Sequence, residues 1–182
     1  MGIGKVGSRR AVFFDRDGVL IESVVRNGKP YPVSAASEAR IVEGVAQMCR
    51  RLADAGFLLV CVTNQPDVAR GTTTRQAVEA INRVVAEQTG ISDFRVCYHD
   101  NIDMCDCRKP KPGLLRQAAA EHDIDLGASF MIGDRWKDTE AGRQAGCTTI
   151  FVDYHYDERE QSAPDFRVAR VADALQYILK TE

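Results

Sequence analysis

The chain has 182 residues, of which 45% are hydrophobic and 27% charged, as expected for one globular domain with a good-sized core. The net charge of −2 argues against a nucleic-acid binder, and no apolar run approaches the length of a membrane span. The basic segment 1–10 lacks the apolar stretch of a secretory signal and predicts a flexible tail before a single domain at 11–182. We therefore expect a cytoplasmic, monomeric protein without nucleic-acid or membrane partners.

The first predicted element is a buried strand at 11–14, which is followed by Asp15, Asp17 and Gly18. Open parallel sheets bind ligands at the carboxyl ends of their strands, which is where these two acids lie. Like charges this close repel unless a cation lies between them, and Mg²⁺ prefers oxygen ligands. A simple acidic turn is the alternative interpretation.

The polar segment 22–37 follows the two acids and contains a glycine and two prolines, which indicate a loop rather than a regular element. It is too short to form a separate cap domain. The loop would lie over the acids, with Arg26 and Lys29 available to an anion. A solvated surface loop is the alternative.

The rest of the chain alternates between helical and strand patterns, which predicts a parallel sheet with right-handed crossovers and helices on both faces. The fold class is thus α/β, a three-layer Rossmann-like sheet. The predicted strands lie at 57–62, 94–98, 130–132 and 148–152, with an edge strand at 166–169. The predicted helices lie at 45–53, 74–89 and 114–122, in a segment ending at 145, and at 171–180.

Polar residues follow two further strands of the predicted sheet. Thr63, Asn64 and Gln65 come after the strand at 57–62, so a hydroxyl and two amides reach the same edge as the first acids. Asp134 and Asp138 come after the strand at 130–132 and bring further carboxylates there. The sequence therefore predicts a polar site built from three strand ends.

The segment 97–107 has the pattern Cys-x-His-x5-Cys-x-Cys. Its three thiols and one imidazole are the ligand set of a closed, structural zinc site: Cys97, His99, Cys105 and Cys107. Chance clustering or a disulfide are the alternatives. Arg108 and Lys109 follow directly, in a stretch stiffened by prolines before a helix start. We expect zinc on one side and the helix on the other to hold these two cations in place, although a solvated basic loop would have the same composition.

These motifs, in this order, resemble those of the haloacid dehalogenase superfamily of phosphohydrolases. The matching positions are Asp15-Arg16-Asp17-Gly18, Thr63, Lys109, and Gly133-Asp134 with Asp138. The zinc loop running into Arg-Lys-Pro-x-Pro-Gly resembles a capless subfamily of heptose bisphosphate and histidinol-phosphate phosphatases.

The resemblance implies a Mg²⁺-dependent phosphomonoesterase. Asp15 would attack phosphorus and form an aspartyl-phosphate, and Asp17 would act as general acid and then general base. The implied Mg²⁺ ligands are Asp15, the Asp17 carbonyl and Asp134. Thr63, Asn64 and Lys109 would bind the phosphoryl oxygens. The remaining residues expected to bind substrate are Gln65, Arg108, Arg135 and Arg26.

The resemblance also limits the substrate to a small phosphorylated metabolite. The stretch 64–71 is similar to that of the heptose enzymes, although Pro66 and Asp67 depart from it. We therefore expect hydrolysis of the 7-phosphate of D-glycero-D-manno-heptose 1,7-bisphosphate. Histidinol phosphate is the alternative, because the zinc loop is short. Weaker alternatives are a phosphatase acting on nucleic-acid ends and a non-catalytic zinc module.

Overall fold

The apolar runs of the sequence form the strands of one parallel sheet. The computed structural model describes residues 9–159 and 161–180. Its strands are β1 Ala11–Phe14, β2 Val24–Arg26, β3 Lys29–Tyr31, β4 Leu58–Asn64, β5 Asp93–Cys97, β6 Phe130–Gly133, β7 Thr148–Val152 and β8 Phe166–Val168. Its α-helices are α1 Val45–Asp54, α2 Arg75–Thr89, α3 Gly113–His122, α4 Trp136–Ala145 and α5 Leu175–Ile178.

The main sheet has the strand order β5-β4-β1-β6-β7-β8, and all of its neighbours are parallel. The chain winds outward from β1 in one direction through β4 and β5, and in the other through β6, β7 and β8. The winding therefore reverses between β1 and β6, and ligands bind at such a switch point, outside the carboxyl ends of the strands. Phe14 pairs with Cys61 of β4 and Ile132 of β6, so residues 15, 63 and 134 all follow at this edge.

Helices cover both faces of the sheet and enclose two hydrophobic cores. One core includes buried side chains of α1, α2 and α5, such as Leu52, Val85 and Ile178. The other includes buried side chains of α3 and α4, such as Leu115 and Ala141. The strands of β1 and β6 are buried throughout, which explains their continuous apolar sequence. The predicted three-layer α/β fold is confirmed, and the described residues contain no separate cap domain.

The prediction that the segment 22–37 lacks regular elements is wrong. Strands β2 and β3 form a small antiparallel hairpin, in which Val24 pairs with Tyr31. Asn27 and Gly28 connect the strands with φ values of 51° and 73°. A two-residue turn with two positive φ angles favours Asn-Gly, so this dipeptide was the hairpin signal in the sequence. The hairpin was not predicted because the segment contains two prolines and its strands have no buried apolar face.

The two ends of the domain differ from the sequence prediction in detail. Arg9 is held to α3's C-terminal loop by a parallel bridge with Ile124, whereas the rest of the predicted tail, residues 1–8, lies outside the described residues. The predicted helix at 171–180 is instead a 3₁₀ turn at 171–174 followed by the short α5. No helix among the described residues is long and apolar enough to cross a membrane.

Candidate active site

Lys109 lies at the centre of the polar site and is only 3% exposed. Its Nζ donates a hydrogen bond of 2.7 Å to Asp15 Oδ1 and lies 2.6 Å from Asp138 Oδ1. It also donates to the carbonyl of Val62 in β4 at 2.8 Å. Burial disfavours the ammonium charge, but the carboxylates of Asp138 and Asp15 outweigh it and raise the pKa of Lys109. The lysine is therefore a fixed cation beside the first acid.

Arg16 and Gln65 bind the Asp17 carboxylate directly, and Asn82 in turn holds Arg16; these three side chains form a clamp on Asp17. The Arg16 guanidinium joins two of these contacts. Its NH2 lies 3.1 Å from Asp17 Oδ2, and its NH1 donates a hydrogen bond of 2.9 Å to Asn82 Oδ1. Gln65 Nε2 donates to Asp17 Oδ2 at 2.7 Å and to Thr63 Oγ1 at 2.9 Å. Burial nevertheless raises the pKa of Asp17, with Arg16 opposing the shift and Asp15 adding to it. A raised pKa suits a carboxyl group that must donate a proton.

Asp134 is buried without a partner. Neither of its carboxylate oxygens has a hydrogen bond within the described part of the chain, although the Tyr156 hydroxyl approaches them. Burial raises the pKa of Asp134 well above its usual range, and the charges of Asp15 and Asp138 raise it further. The carboxylate oxygens of Asp15, Asp134 and Asp138 lie within 4.8 Å of one another. Three converging carboxylates, one of them unpaired, are the donor set that a hard divalent cation requires.

Two glycines make room for these carboxylates. A Cβ at Gly18 would lie 1.9 Å from Asp134 Oδ2, and the residue has a φ of +91° that favours glycine. A Cβ at Gly133 would lie 2.0 Å from the Cβ of Asp138. The glycines of the two strand-end motifs therefore allow the backbone to approach the acids closely.

The amide of Asn64 is used to position Lys109. Asn64 Nδ2 donates to the Lys109 carbonyl at 3.0 Å, and the Lys109 N–H donates to Asn64 Oδ1 at 3.1 Å. This reciprocal pair joins the end of β4 to the segment after the zinc loop. Thr63 and Asn64 still line the cavity described below, whereas Gln65 is buried behind it.

The four predicted zinc ligands converge at one point. The Cys107 Sγ lies 3.1 Å from that of Cys97 and 3.4 Å from that of Cys105, and His99 Nδ1 lies 3.2 Å from Cys107 Sγ. A tetrahedron with Zn–S bonds of about 2.3 Å has edges of about 3.8 Å, so the cluster needs only slight expansion to hold zinc. All six cysteines of the chain are free, which contradicts the disulfide alternative.

The zinc loop is tied to the polar site by arginines. Arg108 Nε donates to Asn101 Oδ1 at 2.8 Å, and its NH1 donates to the His99 carbonyl at 3.3 Å. Arg70, from the segment after β4, forms two hydrogen bonds of 2.7 and 2.8 Å with the Asp100 carboxylate. The geometry thus agrees with the expectation that the loop positions Arg108.

A cavity of about 370 Å³ opens over the carboxylates. The predicted site residues that line it are Asp15, Asp17, Thr63, Asn64, Arg108, Lys109, Asp134 and Arg135. Arg26 and Gln65 are not among its lining residues. Tyr31 of the hairpin also lines the cavity, as does Lys137, which the sequence reasoning overlooked. Burial lowers the pKa of Lys137, and Arg108 and Arg135 lower it further.

Comparison with known proteins identifies this arrangement. The HAD-hydrolase-like family model matches residues 106–177. The D-glycero-beta-D-manno-heptose-1,7-bisphosphate 7-phosphatase of Pseudomonas aeruginosa is 36% identical over 156 residues, which cover 80% of this chain and 82% of that protein. The D-glycero-D-manno-heptose-1,7-bisphosphate 7-phosphatase of Thermosynechococcus vestitus is 31% identical, over 93% of this chain and 95% of that protein. The chain belongs to the haloacid dehalogenase superfamily of phosphatases.

The structural comparison agrees with the sequence comparison. The crystal structure of D,D-heptose 1,7-bisphosphate phosphatase from Bordetella bronchiseptica, complexed with magnesium and phosphate, matches this phosphatase with a TM-score of 0.77 and 27% identity. The match covers 95% of this chain and 99% of that one. The predictions of superfamily, fold class and phosphatase activity from the sequence are confirmed.

Two functional features of this haloacid dehalogenase phosphatase were overlooked at the level of sequence. Arg16 is 0% exposed, and its place between two site acids directly after a buried strand could have indicated that it pairs with one of them. Asn82 could have been found as a polar residue within the apolar face of α2 that carries Val78 and Val85, a face whose other polar residue, Thr89, lies at the end of the helix. The sequence thus contains indications of the residues that hold Asp17, but the structure was needed to recognise them.

Proposed function

We propose that this phosphatase removes the 7-phosphate of D-glycero-D-manno-heptose 1,7-bisphosphate. The observation that carries the proposal is the match to heptose bisphosphate phosphatases over nearly the whole chain, at 31% identity and 93% coverage for one of them. A cavity with a reactive carboxylate at its floor and cations around it suits a substrate with two phosphates. These relatives favour the heptose bisphosphate over histidinol phosphate, the alternative raised by the short zinc loop.

Asp15 is the nucleophile in this proposal. Its Oδ1 is bound by Lys109, which leaves the second carboxylate oxygen for attack on phosphorus. The attack forms the Asp15–phosphorus bond as the bond from phosphorus to the sugar oxygen breaks. Lys109 remains close enough to neutralise charge on the phosphoryl oxygens, with Thr63 as a further donor.

Asp17 is the general acid and general base in this proposal. It would give its proton to the departing sugar oxygen and then take one from the water that hydrolyses the aspartyl-phosphate. Arg16 and Gln65 hold its carboxyl group in a fixed position, so Gln65 acts on the substrate through Asp17 rather than by direct contact. We infer the same positioning role for Asn82, which holds the far side of Arg16.

The residues present fit a Mg²⁺ ion. Asp15 and Asp134 would hold it together with the Asp17 carbonyl, and Asp138 lies near enough to share the charge. When bound, Mg²⁺ neutralises the phosphate and offsets its repulsion from the nucleophile. The four soft ligands of the zinc loop would hold a structural zinc, which stiffens the wall of the cavity that carries Arg108.

Phosphate release from purified protein with Mg²⁺ tests the proposal. We expect a higher kcat/KM for the heptose bisphosphate than for histidinol phosphate, and phosphorus NMR of the product should show that the 1-phosphate remains. Equal or better turnover of histidinol phosphate would contradict the substrate assignment while leaving the phosphatase chemistry intact.

The nucleophile is tested by Asp15→Asn. We expect kcat to fall by at least about 1,000-fold, because the amide cannot attack phosphorus. Lys109 keeps Asp138 as a charged partner, so the fold should survive and the thermal midpoint should stay close to that of the wild type. Near-normal turnover by a folded Asp15→Asn protein would disprove the covalent mechanism.

A further inference from the structure

Besides Lys109, four cationic side chains line the cavity: Arg70, Arg108, Arg135 and Lys137. Two of them are neutralised by carboxylates. Arg70 forms ion pairs with Asp100 at 2.7 Å and with Asp67 at 3.2 Å. Arg135 is bound through its Nε and NH2 groups to the carboxylate of Glu158. These two arginines therefore contribute little net charge to a ligand.

The other two cations form no ion pair in the described part of the chain, although carboxylates act on them at longer range: Asp100 on Arg108, and Glu158 and Asp138 on Lys137. Arg108 is fixed by Asn101 and by the carbonyl of His99, both of which are neutral. Lys137 forms no hydrogen bond or ion pair with the described residues, and its Nζ lies 5.7 Å from the centre of the Trp136 ring. Two positive charges without an ion-paired carboxylate thus face the same cavity.

The position of Lys137 is electrostatically unfavourable in the protein alone. It stands in the first turn of α4, where the helix dipole favours acids over cations. Arg108 and Arg135 are close enough to act on it as like charges. An unfavourable position for a cation is expected where an anion binds. A bound anion interacts favourably with the helix N-terminus and screens Lys137 from the like charges of Arg108 and Arg135.

We propose that Lys137, together with Arg108, binds the substrate phosphate that is not transferred, and that Lys137 is a specificity-determining residue. The inference rests on the proposed function and deepens it. A phosphomonoester carries a charge of about −1.5 to −2 near neutral pH, which matches the two unpaired cations. The zinc loop fixes Arg108, and the start of α4 supplies Lys137 to the same cavity.

The test compares two substrates that differ only in this phosphate: D-glycero-D-manno-heptose 1,7-bisphosphate and heptose 7-phosphate. We expect Lys137→Gln to lower kcat/KM for the bisphosphate by about tenfold more than for the monophosphate, mainly through KM. Lys137→Arg should restore most of the preference, since it keeps the charge. The double variant with Arg108→Ala should lose less than the product of the two single losses, because both side chains bind one group.

Arg143→Gln is the matched control. Arg143 lies in the last turn of the same helix, is paired with Glu140 and does not line the cavity, so this variant removes one positive charge without altering the subsite. It should leave the ratio of the two kcat/KM values unchanged.

The outcomes separate this inference from the proposed function. A wild-type enzyme that fails to hydrolyse the bisphosphate would overturn the proposed function and the inference with it. A wild type that hydrolyses both substrates equally well would overturn the inference alone. A wild-type preference that Lys137→Gln retains would overturn the inference alone. Equal losses on both substrates would also overturn it, because Lys137 would then act on the transferred phosphate.

Discussion

Gly18 shows how a single residue shapes the site. It follows the second acid of the first motif, and its φ of +91° and its contact with Asp134 both exclude a side chain. The contact is the more demanding of the two, because a methyl group 1.9 Å from a carboxylate oxygen requires that the carboxylate move. A glycine in this motif is therefore needed for the metal site as well as for the turn.

We predict that Gly18→Ala lowers kcat on an aryl phosphate by about 100-fold, since a displacement of about 1 Å at a catalytic group has this effect. It should also raise the Mg²⁺ concentration needed for half-maximal activity. Steady-state kinetics across a Mg²⁺ titration measure both quantities.

Gly146→Ala is the control that separates backbone strain from the contact. Gly146 has a nearly identical φ of +94°, but a Cβ there would have no atom within 4 Å. This variant should lose about 1–2 kcal/mol of stability from the left-handed conformation and keep its activity. If both variants lost activity equally, the contact with Asp134 would not be the cause.

At the scale of elements, the zinc loop acts as a rigid wall between β5 and α3. Its backbone packs so closely on the helix start that a Cβ at Gly113 would lie 2.1 Å from the carbonyl oxygen of Asp106. Lys111 Nζ donates a hydrogen bond of 2.8 Å to the Cys105 carbonyl and so connects the end of the loop to the segment that follows it. Arg108 therefore depends on the loop for its position, whereas Lys109 is also held from outside the loop by Asn64, Asp15 and Asp138.

We predict that Cys105→Ser releases the zinc and impairs substrate recognition more than chemistry. The protein should contain about one zinc per chain, and the variant much less, because a serine hydroxyl is a poor replacement for a thiolate. The kcat/KM for the bisphosphate should fall by about tenfold, since Arg108 loses the fixed carbonyl of His99. Metal analysis and kinetics of the same preparations test both parts.

Cys147→Ala is the corresponding control, because Cys147 is a buried free thiol that is not one of the four converging ligands. It should keep its zinc and its substrate preference. A wild-type protein without zinc, or a Cys105→Ser variant that retains it, would show that the cluster does not bind the metal.

At the scale of the whole molecule, the topology concentrates negative charge at one edge of the sheet. The strand order brings the ends of β1 and β6 together, and each end carries acids. The small β2–β3 hairpin, the end of the zinc loop, and the segments that follow β4 and β6 line the resulting cavity. An open cavity excludes water poorly, so selectivity depends on fixed charges rather than on closure.

This concentration of charge predicts a link between Mg²⁺ and global stability. Millimolar Mg²⁺ should raise the thermal midpoint of the wild type by about 5 °C, because the ion binds the folded state only. Asp134→Asn should lose this gain, and without Mg²⁺ it should be at least as stable as the wild type, since it removes a buried, unpaired carboxylate. Calorimetry in Mg²⁺-free buffer, without chelators that would also strip zinc, measures both midpoints.

Asp54→Asn supplies the control for the charge change. Asp54 is exposed at the end of α1, so its variant should respond to Mg²⁺ as the wild type does. An equal response from Asp134→Asn would contradict the assignment of Asp134 to the metal site.

The sequence by itself determined the features that depend on local pattern. Apolar runs predicted the strands, and the acids, hydroxyl and amides that follow them predicted the edge where the site lies. The four zinc ligands fall within eleven residues, so the chain can bring them together without long-range information. The segment 22–37 is the local feature that was predicted wrongly, because its prolines outweighed the Asn27-Gly28 turn signal.

Only the tertiary structure decided which charged side chains are paired. Arg135 and Lys137 are two residues apart and equally cationic in sequence, yet the first forms an ion pair with Glu158, whereas the second forms none with the described residues and feels the carboxylates of Glu158 and Asp138 only at longer range. Gln65 and Arg16 resemble substrate ligands in sequence, but in the structure they bind the Asp17 carboxylate and do not line the cavity. Ion pairs join residues that are distant in the chain, and their formation depends on burial and geometry that only the folded sheet and its loops create.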